Sequence, residues 1–133
     1  MGSSIRTLII LLIATCSFAL AANAEKGGGE NEFPKLRHFV AFQFKPTATP
    51  ADIEKVIASF RELGKTVPQV QSIEAGVNNS SENLNKGLTH AFFVTFAREK
   101  DRDIYLTHPE HEKFKVLLKP LVADVLVMDF WGR

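Results

Sequence analysis

Three histidines, one tyrosine and one aspartate are the side chains of this sequence best suited to acid-base chemistry. The hydrophobic pattern places this set at or beside interior positions, and its members are His38, His90, Tyr105, His111 and Asp129. An imidazole beside a phenol and a carboxylate could abstract a proton next to a carbonyl group, while the phenol donates a hydrogen bond to the enolate that forms. The set is therefore a candidate acid-base site.

The same residues also have a purely structural explanation. Buried histidine, tyrosine and aspartate side chains usually satisfy one another's hydrogen bonds. His108, beside Pro109, is expected to cap a break between two helices. The direction in which the pKa of His111 shifts stays open, because a helix N-terminus lowers it whereas Glu110 and Glu112 raise it. Metal binding by His108 and His111 would need a third ligand, so the sequence predicts neither a metal nor a cofactor.

Strand and helix patterns alternate along the chain and must position these side chains. The predicted elements are strand Leu36–Phe44, helix 49–64, strands 70–77 and 89–97, a helix that opens in the charged run 98–103 and breaks at His108, a helical piece 110–118, and strand 121–131. Gly64 is expected to end the first helix, and the charged run is expected to be solvated. The order β-α-β-β-α-β predicts a ferredoxin-like α+β half-barrel, with four antiparallel strands and the helices on one face.

The sheet face away from the helices is expected to be apolar. If His38, Val40 and Phe42 face the helices, the intervening side chains of the strand point the other way. The side chains expected on this open face are Phe39, Ala41, Phe93, Leu126, Met128 and Phe130. A slip of one residue in this assignment would still expose an apolar surface. Such a patch usually marks an interface, so two sheets are predicted to pack face to face in a homodimer that forms a dimeric α+β barrel.

Length and charge limit the domain count and the partners. The chain has 133 residues, of which 45% are apolar, which suffices for one globular core. Its formal net charge of +1 offers no basic surplus for a phosphate backbone, so no nucleic-acid partner is predicted.

The N-terminal segment is typical of a secretory signal peptide. Arg6 supplies a positive charge, residues 8–20 are apolar or small, and Ala22 and Ala24 frame a small-x-small cleavage site. Residues 1–24 are therefore predicted to be removed, giving an exported protein that is periplasmic or secreted. No membrane partner is expected after the cleavage.

Two other interpretations of this segment stay open. A membrane anchor needs about 20 apolar residues, and this run is shorter. A lipoprotein with a lipidated Cys16 is less favoured because Thr15 stands where a smaller residue is usual. The predicted organisation is then a flexible linker at 25–34 and one cysteine-free domain at 35–133.

Four segments together form a recognisable pattern, namely 36–45, 88–96, 105–111 and 125–130. The most specific is Tyr-x-x-His-Pro-x-His, which runs from Tyr105 to His111. The sequence resembles the stress-responsive dimeric A/B-barrel family, the Dabb domain, over nearly the whole chain after the signal peptide. The resemblance implies a half-barrel that dimerises through its sheet, in a family whose members mostly lack an established chemistry.

One plant member of this family, a polyketide cyclase, implies roles for individual side chains. Tyr105 and His111 match its catalytic pair, and His38 and His90 match histidines of its pocket. We therefore predict Tyr105 and His111 as the catalytic residues of this chain, if it is an enzyme.

A ligand pocket is predicted between the sheet and the helices. Its expected lining is His38, Val40, Phe42, Phe60, His90, Phe92, Phe114 and Asp129. Two positions depart from the cyclase, because Phe60 replaces a pocket tyrosine and Val122 a pocket tryptophan. If Phe60, Phe92 and Phe114 fill the space, no substrate fits there.

Two functions follow from this sequence. The main prediction is an exported stress-responsive homodimer that binds a small apolar or aromatic ligand. The alternative is a pocket enzyme, similar to a polyketide cyclase or a cofactor-free monooxygenase, with Tyr105 and His111 as its acid-base pair. Whether the chain is an enzyme stays open.

Overall fold

A computed structural model describes residues 34–132 of the chain. The predicted signal peptide at 1–24, the lipidation candidate Cys16 and nearly all of the predicted linker lie outside the described residues. None of the helices described in this range is both long and apolar enough to span a membrane.

The described residues form four strands and three helices in one α+β arrangement. In chain order they are β1 (Leu36–Phe44), α1 (Pro50–Thr66), β2 (Ser72–Val77), β3 (His90–Phe96), α2 (Glu99–Thr107), α3 (Pro109–Leu118) and β4 (Val122–Trp131). The sheet has the order β2-β3-β1-β4, and every neighbouring pair is antiparallel. The predicted ferredoxin-like fold is confirmed, with the second helix split into α2 and α3.

Helix α1 begins as predicted and ends later than predicted. Thr49 and Asp52 form a capping box, in which each side chain accepts a hydrogen bond from the other residue's backbone N–H. The expectation that Gly64 ends the helix was wrong, because α1 continues to Thr66. The helix ends where Val67 takes an extended conformation, since a residue that precedes a proline avoids the helical region.

The predicted break between α2 and α3 is confirmed at His108. This residue has φ −66° and ψ 137°, the extended conformation favoured before Pro109. Its Nδ1 accepts a hydrogen bond of 3.2 Å from the backbone N–H of Glu110, so His108 caps α3. The break lies between Tyr105 on α2 and His111 on α3 and thereby sets their relative position.

Strand β1 lies between β3 and β4 and carries the centre of the core. Its alternate residues Leu36, Val40 and Phe42 are buried on the helix side, as the pattern predicted. The other core side chains are Val56, Phe60, Leu63, Val67, Val70, Phe92, Val94, Phe96, Tyr105, Phe114 and Leu118.

The opposite face of the sheet is apolar, as predicted. Phe39 lies opposite Phe93 on β3 and Met128 on β4, so all three share this face. The ring centroids of Phe39 and Phe93 are 4.9 Å apart. We call this surface, made of Phe39, Ala41, Phe93, Leu126, Met128 and Phe130, the open face.

Strand β4 exposes apolar side chains on both of its faces. Of the ten large hydrophobic side chains exposed within residues 34–132, six lie on β4: Val125, Leu126, Val127, Met128, Phe130 and Trp131. The helices therefore leave the helix side of this edge strand largely uncovered, in addition to the open face.

Candidate acid-base site

Tyr105 and His111 form a packed pair on the helix side of the sheet. Their ring centroids are 4.3 Å apart at an interplanar angle of 30°, and both residues are buried. Tyr105 is two residues before Thr107, the last residue of α2, and His111 is in the first turn of α3. The break at His108 thus turns a spacing of six residues into a direct contact.

The hydroxyl of Tyr105 is buried and has no hydrogen-bond partner among residues 34–132. Burial raises the pKa of this phenol well above its usual value, so the group stays protonated and able to donate. An unpaired buried hydroxyl costs about 1–3 kcal/mol, because folding removes its hydrogen bonds to water. The hydroxyl is therefore a buried donor that no side chain or backbone group of residues 34–132 satisfies.

His111 is held in one tautomer by the backbone. Its Nδ1 lies 3.2 Å from the carbonyl oxygen of Leu106, and because a carbonyl only accepts, Nδ1 carries the proton. In the neutral ring Nε2 then keeps its lone pair. Burial lowers the pKa of His111, with help from Lys115 and His38, and it outweighs the opposing effects of the Leu106 bond and Glu112. The direction that the sequence left open is therefore downwards, and the neutral, base-competent ring is favoured.

The lowered pKa of His111 predicts a loss of stability in acid. As the pH falls from about 7 to about 5, the unfolded chain binds a proton at this position before the folded chain does, so the free energy of unfolding falls. His111→Gln is expected to flatten this part of the pH profile, as measured by urea denaturation at several pH values. A variant that loses as much stability over the same range as the original protein would contradict the assignment.

A second polar group lies beside this pair. His38 and Asp129 are opposite each other in the β1–β4 register, and their Nδ1 and Oδ1 atoms are 2.7 Å apart. Arg102 donates from Nη1 to the other carboxylate oxygen, Oδ2, at 3.1 Å. The His38 ring centroid is 6.0 Å from that of Tyr105. The structure thus brings together four of the five side chains first singled out.

Arg102 belongs to this group and was missed by sequence reasoning. It falls in the charged run 98–103, which was expected to be solvated, yet the Arg102 side chain is only 20% exposed and Asp101 is buried. Its position one helical turn before Tyr105 on α2 was the available signal. Sequence alone could not show that β4 brings Asp129 to the same place.

His90 lies apart from the other histidines. Its ring contacts Phe44, with centroids 5.0 Å apart, near the far end of β1. Between His90 and the Tyr105–His111 pair lie the rings of Phe60, Phe92 and Phe114, and Phe60 packs against the other two at centroid distances of 4.2 and 5.0 Å.

These rings occupy the region where the ligand pocket is predicted. Val40, Phe42, Phe60, Phe92 and Phe114 are all buried core residues. The described cavities reach the predicted lining only at His90 and Phe92, and Tyr105 and His111 line none of them. The pocket stays a prediction. At the polar end of the site the side chain of Asp129 is 30% exposed.

The chain belongs to the Dabb family. The family model described as the stress responsive A/B barrel domain matches residues 36–131, which is nearly the whole described domain.

Two named relatives are similar over most of this chain. Olivetolic acid cyclase from Cannabis sativa is 24% identical over 98 residues, which is 74% of this chain and 97% of the cyclase. A stress-response A/B barrel domain-containing protein from Arabidopsis thaliana is 25% identical over 96 residues, covering 71% of this chain and 84% of that protein.

Solved structures share the fold. A crystal structure of an Arabidopsis thaliana protein matches with a TM-score of 0.71 and 28% identity, covering 74% of this chain and 95% of that one. The hydroxynitrile lyase from Passiflora edulis matches with a TM-score of 0.70 and 22% identity, covering 74% of this chain and 94% of the lyase. A dimeric ferredoxin-like protein of unknown function from Thermobifida fusca matches with a TM-score of 0.65 and 23% identity, covering 74% of this chain and 92% of that one. Below 25% identity, these likenesses concern the fold alone.

Proposed function

We propose that this chain is an exported homodimer that binds a small, mostly apolar molecule through one oxygen atom, which accepts a hydrogen bond from Tyr105. The observation that carries the proposal is the buried, unpartnered hydroxyl of Tyr105 next to the ring of His111. Folded proteins rarely bury a donor without a partner, and a bound ligand oxygen would satisfy it.

The ligand reaches Tyr105 from the edge of the sheet that β4 forms. Asp129 and Arg102 are partly exposed there, and Val127 beside them is half-exposed. The phenyl rings of the core close the opposite end and provide an apolar surface. The apolar rings together with one hydrogen-bond donor favour a small aromatic ketone or acid over an extended polar molecule.

The homodimer is supported by the open face and by β4. An isolated domain would leave the open face and the helix side of β4 in water, and contiguous apolar surfaces of this kind usually mark interfaces. A two-fold axis through the open face would bring Phe39 and Phe93 of both subunits together. The Thermobifida fusca protein of the same fold is described as dimeric.

Export is proposed from residues 1–24. Cleavage after Ala24 is expected, so the exported protein should begin at Glu25, and intact-mass measurement checks this. Ala24→Leu places a larger side chain at the cleavage site and should leave the precursor uncut. A product that instead begins at a diacylglyceryl Cys16 would overturn the proposal in favour of a lipoprotein.

A second candidate function, acid-base catalysis on a carbonyl compound, is favoured by the fixed tautomer of His111. Nε2 of His111 would take a proton from the carbon next to the carbonyl, and the Tyr105 hydroxyl would donate a hydrogen bond to the enolate oxygen. His38, Asp129 and Arg102 would position the tyrosine and stabilise nearby charge. Similarity to a protein named as a cyclase supports this candidate.

Acetophenone is a probe that tests binding and catalysis together, because it has a carbonyl oxygen and exchangeable methyl protons. Tyr105→Phe should weaken its binding about fivefold or more while leaving the free energy of unfolding equal or about 1 kcal/mol higher, because an unpaired hydroxyl is removed. Binding is measured by NMR titration and stability by urea denaturation. Unchanged affinity together with a loss of stability would contradict the binding proposal.

Deuterium exchange at the acetophenone methyl group separates the two candidate functions. His111→Gln should reduce enzyme-dependent exchange in D₂O about 100-fold while acetophenone still binds, if His111 is the base. Binding without any enzyme-dependent exchange in the original protein would leave the binding function and remove the catalytic one.

A further inference from the structure

A cleft of about 200 Å³ lies between α1 and the adjoining ends of β2 and β3. Its apolar part includes Ile57 and the edge of the buried Phe92, and Gly76 contributes no side chain. Phe92 stacks on Phe60 behind the cleft and separates it from the Tyr105 site.

Two charges of opposite sign line this cleft. Glu54 and Arg61 are seven residues apart on α1, about two helical turns, and therefore project from one side of the helix. Neither makes a hydrogen bond or an ion pair with another of the residues 34–132, whereas Glu62 and Lys65 on the same helix pair with each other at 2.8 Å. Both charged groups are thus available to a ligand.

His90 forms the third polar part of the cleft. Burial lowers the pKa of His90 and favours its neutral form, although the charge of nearby Glu54 opposes the shift. Its Nδ1 lies 2.9 Å from the hydroxyl oxygen of Thr89. The charged groups of the cleft therefore sum to zero, with one acid and one base above an apolar surface.

We propose that this cleft binds a zwitterionic, apolar α-amino acid. Arg61 holds the carboxylate, Glu54 holds the ammonium group, and the ligand side chain packs on Ile57. A simple carboxylate would gain the contact with Arg61 but meet repulsion from Glu54, and a simple amine would meet the reverse. A ligand that carries both charges gains both contacts, so charge complementarity selects the zwitterion.

Three probes of nearly equal shape test the proposal. L-leucine carries both charges, 4-methylpentanoate lacks the ammonium group, and 3-methylbutylamine lacks the carboxylate. In NMR titrations of the full domain, leucine should bind about fivefold more tightly than either of the others, the size expected for one exposed ion pair. The backbone amides of Gly76, Val77 and His90 should shift.

Two variants assign the contacts. Arg61→Gln should weaken leucine binding about fivefold, so that leucine no longer binds more tightly than 3-methylbutylamine. Glu54→Gln should remove the difference in affinity between leucine and 4-methylpentanoate. Lys55→Gln and Glu62→Gln remove the same charges from α1 outside the cleft and should change nothing. Tyr105→Phe should also leave leucine binding intact, which keeps this test independent of the Tyr105 site.

The proposal is overturned by equal affinities for the three probes, by the absence of binding, or by chemical shift changes confined to residues outside the cleft. It is also overturned if Lys55→Gln weakens leucine binding as much as Arg61→Gln does, because the effect would then come from the general charge of α1 and not from the site.

Discussion

Phe93→Glu is expected to abolish the proposed homodimer, giving monomer or aggregate. Phe93 lies in the middle of the open face, where its ring centroid is 4.9 Å from that of Phe39 and 6.2 Å from that of Phe130. In a sheet-to-sheet dimer each subunit would bury a carboxylate there without a partner, which costs several kcal/mol per charge. Sedimentation velocity of the purified protein measures the result.

Val116→Glu is the matched control for this experiment. Val116 is 76% exposed on α3, so Val116→Glu adds the same negative charge away from the open face and should leave the proposed dimer intact. A Phe93→Glu protein that sediments as a dimer would remove the interface from the open face.

Phe60→Ala is expected to cost about 3–5 kcal/mol of the free energy of unfolding. Phe60 is almost completely buried on α1, stacked on Phe92 at 4.2 Å and edge-to-face with Phe114 at 5.0 Å. Truncation removes these contacts and leaves a cavity at the centre of the core. Urea denaturation at pH 7, followed by circular dichroism, gives the loss directly.

Phe60→Leu is the control, since it keeps most of the buried volume and should cost clearly less. A loss below about 1 kcal/mol for Phe60→Ala would mean that the core collapses into the space or that the ring is not packed as described. Because Phe60 packs on Phe114, which in turn packs against His111, the alanine variant also opens space near the Tyr105–His111 pair. Acetophenone should then bind more tightly to this variant if its binding is limited by space.

Local features of this protein were set by its sequence. The order of strands and helices follows from hydrophobic periods near 2 and 3.6 residues, which depend only on neighbours along the chain. The capping box at Thr49 and the break at His108 follow from side-chain and proline geometry within a few residues. The apolar open face follows from alternation along β1, because successive side chains of a strand point to opposite faces.

The later end of α1 shows where such local rules compete. Gly64 and Pro68 both offer a place to stop, and a glycine ends a helix only where the backbone must turn left-handed. No such turn occurs at Gly64, and the ideal Cβ position there lies an ordinary 3.5 Å from Ile73, so the helix runs on until the residue before the proline.

The candidate site depends on contacts that no local pattern contains. The β1–β4 register brings Asp129 to His38 from a distance of 91 residues along the chain, and Arg102 joins them from α2. The separation of His90 from His111 follows from how three phenyl rings pack between them. The orphan hydroxyl of Tyr105 and the lowered pKa of His111 both arise from desolvation, which is the summed effect of atoms from distant segments. The sequence alone therefore determined the elements and their faces, and only the tertiary structure decided which polar groups meet, because burial and register are properties of the whole packed chain.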